Sequence, residues 1–322
     1  MRSISKIVLV NAGVLVTLLL VLEIVFRLLG YSPVSHKSFR QDRPEPYANS
    51  SYFSPEFLKE SFEQPGGWHV PEGTNLILPN NYNGKFFNIR DNIRVTTGTQ
   101  AEAKRTIYLL GGSTIYNSEV PDDFTIASQL QKRLNNQGVG ANVVNLGVTS
   151  VYSDQQLERL QRDVDLAAGD IVIFYDGVND VNQRLLYANQ KGAIAQGTSI
   201  APFLTKQIRR LAKYSALFRF LDETYFSAIK AHYPDEEVNK AVTDYLAVLE
   251  TANLWVEERG GRFHHFLQPT IYTKKELNAY EAELFEIGAP VIHEGVGIAF
   301  RAAYPVIREA LSDVPYSNDL TA

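Results

Sequence analysis

Three short runs in the 322-residue chain hold residue types that can do nucleophilic chemistry: Gly111-Gly112-Ser113-Thr114, Asn145-Leu146-Gly147-Val148 and Gly177-Val178-Asn179-Asp180. The chain has no cysteine, so covalent catalysis would have to use Ser, Thr, Lys, Asp, Glu, His or Tyr, and thiolate metal sites and disulfides are excluded together. The first run lacks the Lys of a P-loop and the spaced glycines of a dinucleotide-binding turn. It also departs from the Gly-x-Ser-x-Gly elbow, because Ile115 stands where the last glycine belongs. Taken alone, Ser113 fits a helix cap as well as a nucleophile, and Gly147 fits a turn that ends a strand. Asn179 and Asp180 place an amide beside a carboxylate, where the competing reading is a turn whose Asn or Asp caps the next helix.

The three runs gain meaning from the elements that would carry them. Thr106–Leu110, Asn142–Leu146, Ile171–Tyr175 and Arg262–Leu267 are short apolar, β-branched or aromatic runs that stop at Gly111-Gly112, Gly147, Asp176-Gly177 and Gln268-Pro269, which predicts four buried strands. Helices are expected between them. One spans about 125–136, with Ile126, Leu130 and Leu134 at four-residue spacing. A second starts at a Ser153 cap and carries Leu157, Leu160 and Val164, and a third covers Val238–Glu258. Strands alternating with helices imply a parallel sheet covered on both faces. Ligands of such sheets sit at the carboxyl ends of the strands, where all three runs fall.

Around this domain, 105–322 with a helical insertion at about 181–236, two further segments are expected. Residues 1–30 form an N-terminal anchor: 7–22 carry no charge, and 7–29 as a helix would span about 34 Å, enough to cross a bilayer. Glu23 and Arg27, four apart, can pair on one face of that helix. The competing readings are a cleaved signal peptide and a core helix. The expected topology is a short cytoplasmic N-terminus with the globular part outside. Residues 31–104 are expected as a linker and a small β-rich subregion, with Asn83-Gly84 marking a hairpin turn. A hydrophobic fraction of 45% and a charged fraction of 21% exclude wholesale disorder, and the net charge of −5 argues against a nucleic-acid partner. No His/Asp/Glu cluster has metal-ligand spacing, so neither a metal nor another cofactor is expected. In the insertion, Lys206, Arg209, Arg210 and Lys213 with Phe218, Phe220, Tyr225 and Phe226 read as an amphipathic cover with a solvated basic face; the alternative is a lid or patch that touches lipid headgroups.

In this order, the three runs resemble the SGNH hydrolases, the GDSL-type esterases and lipases, over roughly residues 105–320. The resemblance implies a flavodoxin-like three-layer α/β/α sandwich with a mostly parallel central sheet. It further implies that Ser113 is the nucleophile, and that an oxyanion hole forms from the Ser113 N–H, the Gly147 N–H and the Asn179 side-chain amide. Fixed donors of this kind stabilise the tetrahedral oxyanion of ester cleavage by a few kcal/mol each. Asp180 is read as structural.

The chain departs from the family at the base. SGNH enzymes carry their His and its orienting acid as Asp-x-x-His, and no such motif occurs here. The sequence is therefore expected to be a piece of a longer protein in which a final strand, the Asp-x-x-His loop and a closing helix follow, and to be close to inactive as it stands. His264 and His265 alternate across a strand, so at most one faces the site. His293 is the best substitute by chain order, and His36, His69 and His232 have no case. Three functions remain open: an esterase that removes acyl groups, acetyl above all, from a carbohydrate or lipid; an O-acyltransferase on surface polysaccharide; and a non-catalytic protein that keeps the fold.

Overall fold

The architecture comes from a computed structural model, which describes residues 2–31, 47, 49–63, 66–187, 208, 210–212, 214–221, 232–282 and 290–320. Two compact units form. One comprises Met1–Asp42, Tyr187–Ala231 and Asn278–Val296; the other comprises Arg43–Leu186, His232–Leu277 and Gly297–Ala322.

The larger unit is built on five parallel strands: β6 (Arg105–Gly111), β7 (Ala141–Asn145), β8 (Ile171–Asp176), β9 (Arg262–Leu267) and β10 (Ser317–Asp319). Their spatial order is β10-β9-β8-β6-β7. Numbered among themselves along the chain, this is the 2-1-3-4-5 order of a flavodoxin-like doubly wound sheet. The four central strands match the apolar runs to within a residue. Their inward positions, such as Leu109, Val143, Val172, Phe174 and Phe263, are buried. Helices α4 (Ile126–Asn136), α5 (Ser153–Asp163) and α8 (Asp235–Glu257) cover the sheet, and the β-α-β connections that parallel pairing demands are thereby filled.

Three features differ from expectation. The final strand expected to be missing is present as β10, paired in parallel with β9 through Ser317↔His265 and Asp319↔Leu267. Its residues are polar, and Asn318 and Asp319 are exposed at the sheet edge, so no apolar run announced it. The segment expected as a linker and small β-rich subregion holds a helix, α2 (Pro55–Glu63), and an antiparallel pair, β1 (Trp68–His69) with β2 (Leu78–Pro79). It also supplies β3 (Tyr82–Asn83), β4 (Asn88–Arg90) and β5 (Ile93–Arg94), which extend the same sheet as antiparallel strands beyond β7. A hairpin joins β3 and β4, but it turns at Lys85-Phe86 rather than at Asn83-Gly84: Asn83 pairs with Asn88 in the strands, and the Gly84 N–H donates to the Phe87 carbonyl at 2.9 Å. A second hairpin turns at Asp91-Asn92, both with positive φ as a type I′ turn requires. Finally, Ser153 does not cap α5. It is the first helical residue, and the carboxylate of Asp180 serves the helix start instead, accepting from the Ser153 N–H at 3.2 Å and its Oγ–H at 2.5 Å.

In the other unit, α1 (Arg2–Leu28) contains the apolar stretch Val10–Leu28, 19 residues with a mean hydropathy of 2.0 and none of it buried. That length covers about 28 Å as a helix, close to the hydrocarbon thickness of a bilayer. The expected Glu23–Arg27 pair forms at 2.8 Å. A short helix, α7 (Ala216–Leu221), packs against α1. Of the insertion residues singled out above, Lys206, Arg209, Lys213, Tyr225 and Phe226 lie outside the described residues.

Candidate active site

The strand order reverses direction between β6 and β8, which leaves a crevice at their carboxyl ends. Two of the three chemical runs, Gly111–Thr114 and Gly177–Asp180, sit at that point. Strand β6 ends at Gly111, and Ser113 opens the one-turn helix α3 (Ser113–Tyr116), exposed to solvent. Strand β8 ends at Asp176, and Asn179 lies in the one-turn helix α6 (Val178–Val181).

The two turns touch. A Cβ at Gly112 would collide with Asn179 Nδ2, so only glycine before Ser113 lets the amide come this close. One Nδ2 hydrogen goes to the Val151 carbonyl at 2.7 Å. An amide carries two, and the second stays available beside the Ser113 turn. The structure therefore brings Ser113 and Asn179 together.

Gly147 adjoins them differently. It follows β7, is buried, and abuts α3 so closely that a Cβ would meet the backbone N of Tyr116 and come within 2.7 Å of the Ile115 carbonyl carbon. Its N–H donates to Asn145 Oδ1 at 3.0 Å, while Asn145 Nδ2 donates to the Ile115 carbonyl at 2.9 Å. In this conformation the donor expected for an oxyanion is engaged within its own turn, and the glycine serves close packing under α3.

Several residues that the sequence reading passed over hold these turns in place. Arg94 on β5 is 1% exposed. It pairs with Asp122 at 2.6 Å and donates to the carbonyls of Tyr116, Asn117 and Val120 at 3.0–3.2 Å, clamping the segment that leaves α3. Its guanidinium lies over the Phe87 ring, 3.8 Å from the centroid. Burial lowers the Arg94 pKa, and the neighbouring Asp122 charge opposes that. Arg159 on α5 donates to the carbonyls of Leu146 and Asn92, both at 2.8 Å, and so fixes the start of the Gly147 turn; burial brings its pKa down to about 10. Gln268, just past β9, donates through Nε2 to Thr114 Oγ1 at 2.6 Å, its N–H bonds the Asp176 carbonyl at 2.8 Å, and its own carbonyl accepts from Tyr304. It ties the ends of β9 and β8 to the residue next to Ser113. The strand-end position of Gln268 was legible. Arg94 and Asp122 were not, because an Arg within Ile93-Arg94-Val95 reads as the outward member of an alternating strand.

Beneath the turns lies a buried polar group. The Asp176 carboxylate accepts from the Tyr245 hydroxyl and lies 3.1 Å from His265 Nε2; His265 Nδ1 is 2.7 Å from Ser317 Oγ. His265 is fully buried and committed to these partners, while His264 is half-exposed on the opposite face of β9. His293 lies in α9 (Pro290–Leu311), and its side chain is outside the described residues. Among the described residues no imidazole hydrogen-bonds Ser113. Asp180, also buried, has its pKa raised to about 7, first by desolvation and then by the Asp176 charge, against the opposing pull of Arg184 and the Ser153 hydrogen bonds. Among the described residues no group of three or more His, Asp or Glu side chains converges as a metal site would require.

No protein-family model and no curated protein matches the chain. Among solved structures it is similar to AlinE4, described as an SGNH-hydrolase family esterase, at 17% identity over 67% of this chain and 83% of that one, with a TM-score of 0.29. It is also similar to TesA, at 14% identity over 64% and 74% with a TM-score of 0.31. A third is Axe2, an acetyl xylan esterase from Geobacillus stearothermophilus, at 14% identity over 66% and 82% with a TM-score of 0.29.

Proposed function

We propose that the chain is a membrane-anchored serine ester hydrolase of the SGNH type that removes acyl groups, acetyl above all, from a carbohydrate or lipid ester outside the cytoplasm. The observation that carries this reading is an exposed Ser113 at the switch point of the sheet, with the Asn179 amide against the glycine that precedes it. Ser113 Oγ attacks the ester carbonyl carbon, and the carbonyl oxygen takes the negative charge. The Ser113 N–H at the open start of α3 and the second Asn179 N–H supply two neutral donors for it. Collapse of the tetrahedral species breaks the bond between the acyl carbon and the alcohol oxygen, which leaves with the Ser113 hydroxyl proton relayed through solvent water, and Ser113 is acylated. Water then adds to the acyl carbon, releases the acid and returns a proton to Ser113 Oγ. Gly147 joins as a third donor as its contact to Asn145 gives way.

Hydrolysis of p-nitrophenyl acetate by the protein as it occurs in its membrane tests the reading. Loss of turnover in Ser113→Ala supports it, and full turnover in that variant overturns it. A non-catalytic protein of the same fold is the competing reading. The sequestration of His265 by Asp176, Tyr245 and Ser317 favours it, since the base that Ser113 needs is then not this histidine.

A further inference from the structure

Glu23 is a carboxylate inside the apolar stretch Val10–Leu28, five residues and roughly 7 Å short of its end. A lone charge at that depth is costly, so its partners are informative. Besides Arg27 it accepts from Ser215 Oγ at 2.6 Å, the Ala216 N–H at 3.0 Å and the Leu217 N–H at 3.1 Å, which are the opening groups of α7 in the insertion. One turn further along α1, Phe26 stacks on Phe220 with centroids 4.4 Å apart, and Tyr31 meets the same ring edge-on at 5.3 Å. The short helix is thus fastened by charge and by aromatic rings to the terminal two turns of the anchor. Beside it, Tyr214 and Leu211 are 75% and 41% exposed, as Leu28 and Leu29 are on α1.

We infer that the described part of the insertion around α7, namely Leu211, Tyr214 and Ala216–Leu221, lies in the interfacial layer of the bilayer, held there by Glu23, with Tyr214 and Leu211 contacting lipid. The inference rests on reading Val10–Leu28 as a membrane span. A helix tied to a point roughly 7 Å inside a span cannot stand clear of the headgroups, because those headgroups occupy the layer just beyond the span's end. The residue types agree: tyrosine belongs at headgroup level and leucine at the acyl boundary. The carboxylate is tolerated at this depth because its acceptor positions are filled by the Arg27 guanidinium and three N–H or O–H donors rather than by water.

The chain has no cysteine, so a single Tyr214→Cys variant of the full chain can carry one polarity-sensitive fluorophore. Reconstituted into phosphatidylcholine–phosphatidylglycerol vesicles, the label is expected to emit to the blue of the same dye on a free thiol in buffer. Nitroxides placed near the headgroup should quench it more strongly than nitroxides deep in the acyl chains. Adding Glu23→Gln should abolish the blue shift while the protein still resists alkaline carbonate extraction. Leu211→Cys gives an independent reading if Tyr214→Cys folds poorly. A water-like emission at both positions, in protein that resists extraction, overturns the inference and leaves the anchor intact. A shift that survives Glu23→Gln overturns the tether. Release of the chain by carbonate overturns the anchor reading itself, and this inference with it.

Discussion

The proposed role of Ser113 and Asn179 requires donors that are fixed before the substrate arrives. Removing one such donor from an oxyanion site costs on the order of 100- to 1000-fold in kcat, or about 3–4 kcal/mol of transition-state stabilisation. Asn179→Ala is therefore expected to lower kcat by that factor with KM nearly unchanged, as steady-state kinetics on p-nitrophenyl acetate would show; a fall in KM-dependent binding alone would remove Asn179 from the site. Asp180 behaves differently. Its carboxyl pKa in the folded chain, about 7, lies above its ordinary value near 4, so the native state holds a proton that the unfolded chain releases. The stability this contributes is fully present below about pH 4 and is lost as pH rises through about 7. Asp180→Asn is expected to remove this loss. Thermal unfolding compared across that window should find the unmodified chain falling in Tm relative to the variant as pH rises, and parallel Tm curves would contradict the assignment.

At the level of elements, one-turn helices such as α3 and α6 have no stability of their own, because a few residues cannot repay helix nucleation. They hold their geometry through Arg94 and Gln268, which reach α3 from β5 and the end of β9, and through Asp180, which ties α6 to the start of α5. Arg94→Ala leaves Asp122 buried without its cation and uncaps three carbonyls. The expected loss is about 3–5 kcal/mol, read from denaturant unfolding. Replacing Gly112 with Ala should change stability less than activity, because the Cβ displaces the Asn179 amide rather than core side chains. The sequence made β6 to β9 legible because each carries apolar, β-branched or aromatic residues at most of its buried positions and stops at a turn signal. β5 and β10 stayed illegible because their burial is set by neighbours, not by their own two or three residues, while β3 and β4 were announced only as a hairpin near Asn83-Gly84, without their place in the main sheet. The site divides the same way. Ser113, Gly147 and Asn179 stood out by residue type at strand ends, whereas the Gly147 N–H bond to Asn145 and the clamp of Arg94 on Asp122, 28 positions away, exist only once the sheet is assembled.

For the whole molecule, the helix that holds Val10–Leu28 is apolar and of bilayer length, and the doubly wound unit carries a solvent-facing serine. Alkaline carbonate extraction of membranes holding the full chain should leave it in the pellet, and deleting residues 2–28 should move it to the soluble fraction; release of the intact chain would contradict the anchor. The central claim concerns Ser113, and covalent labelling tests it most directly. The folded protein would be treated with a fluorophosphonate and its peptides mapped by mass spectrometry. The account predicts a single phosphonylated residue, Ser113, with labelling abolished in Ser113→Ala and slowed in Asn179→Ala. A folded protein whose Ser113 stays unmodified, or whose labelling survives Ser113→Ala, would contradict it.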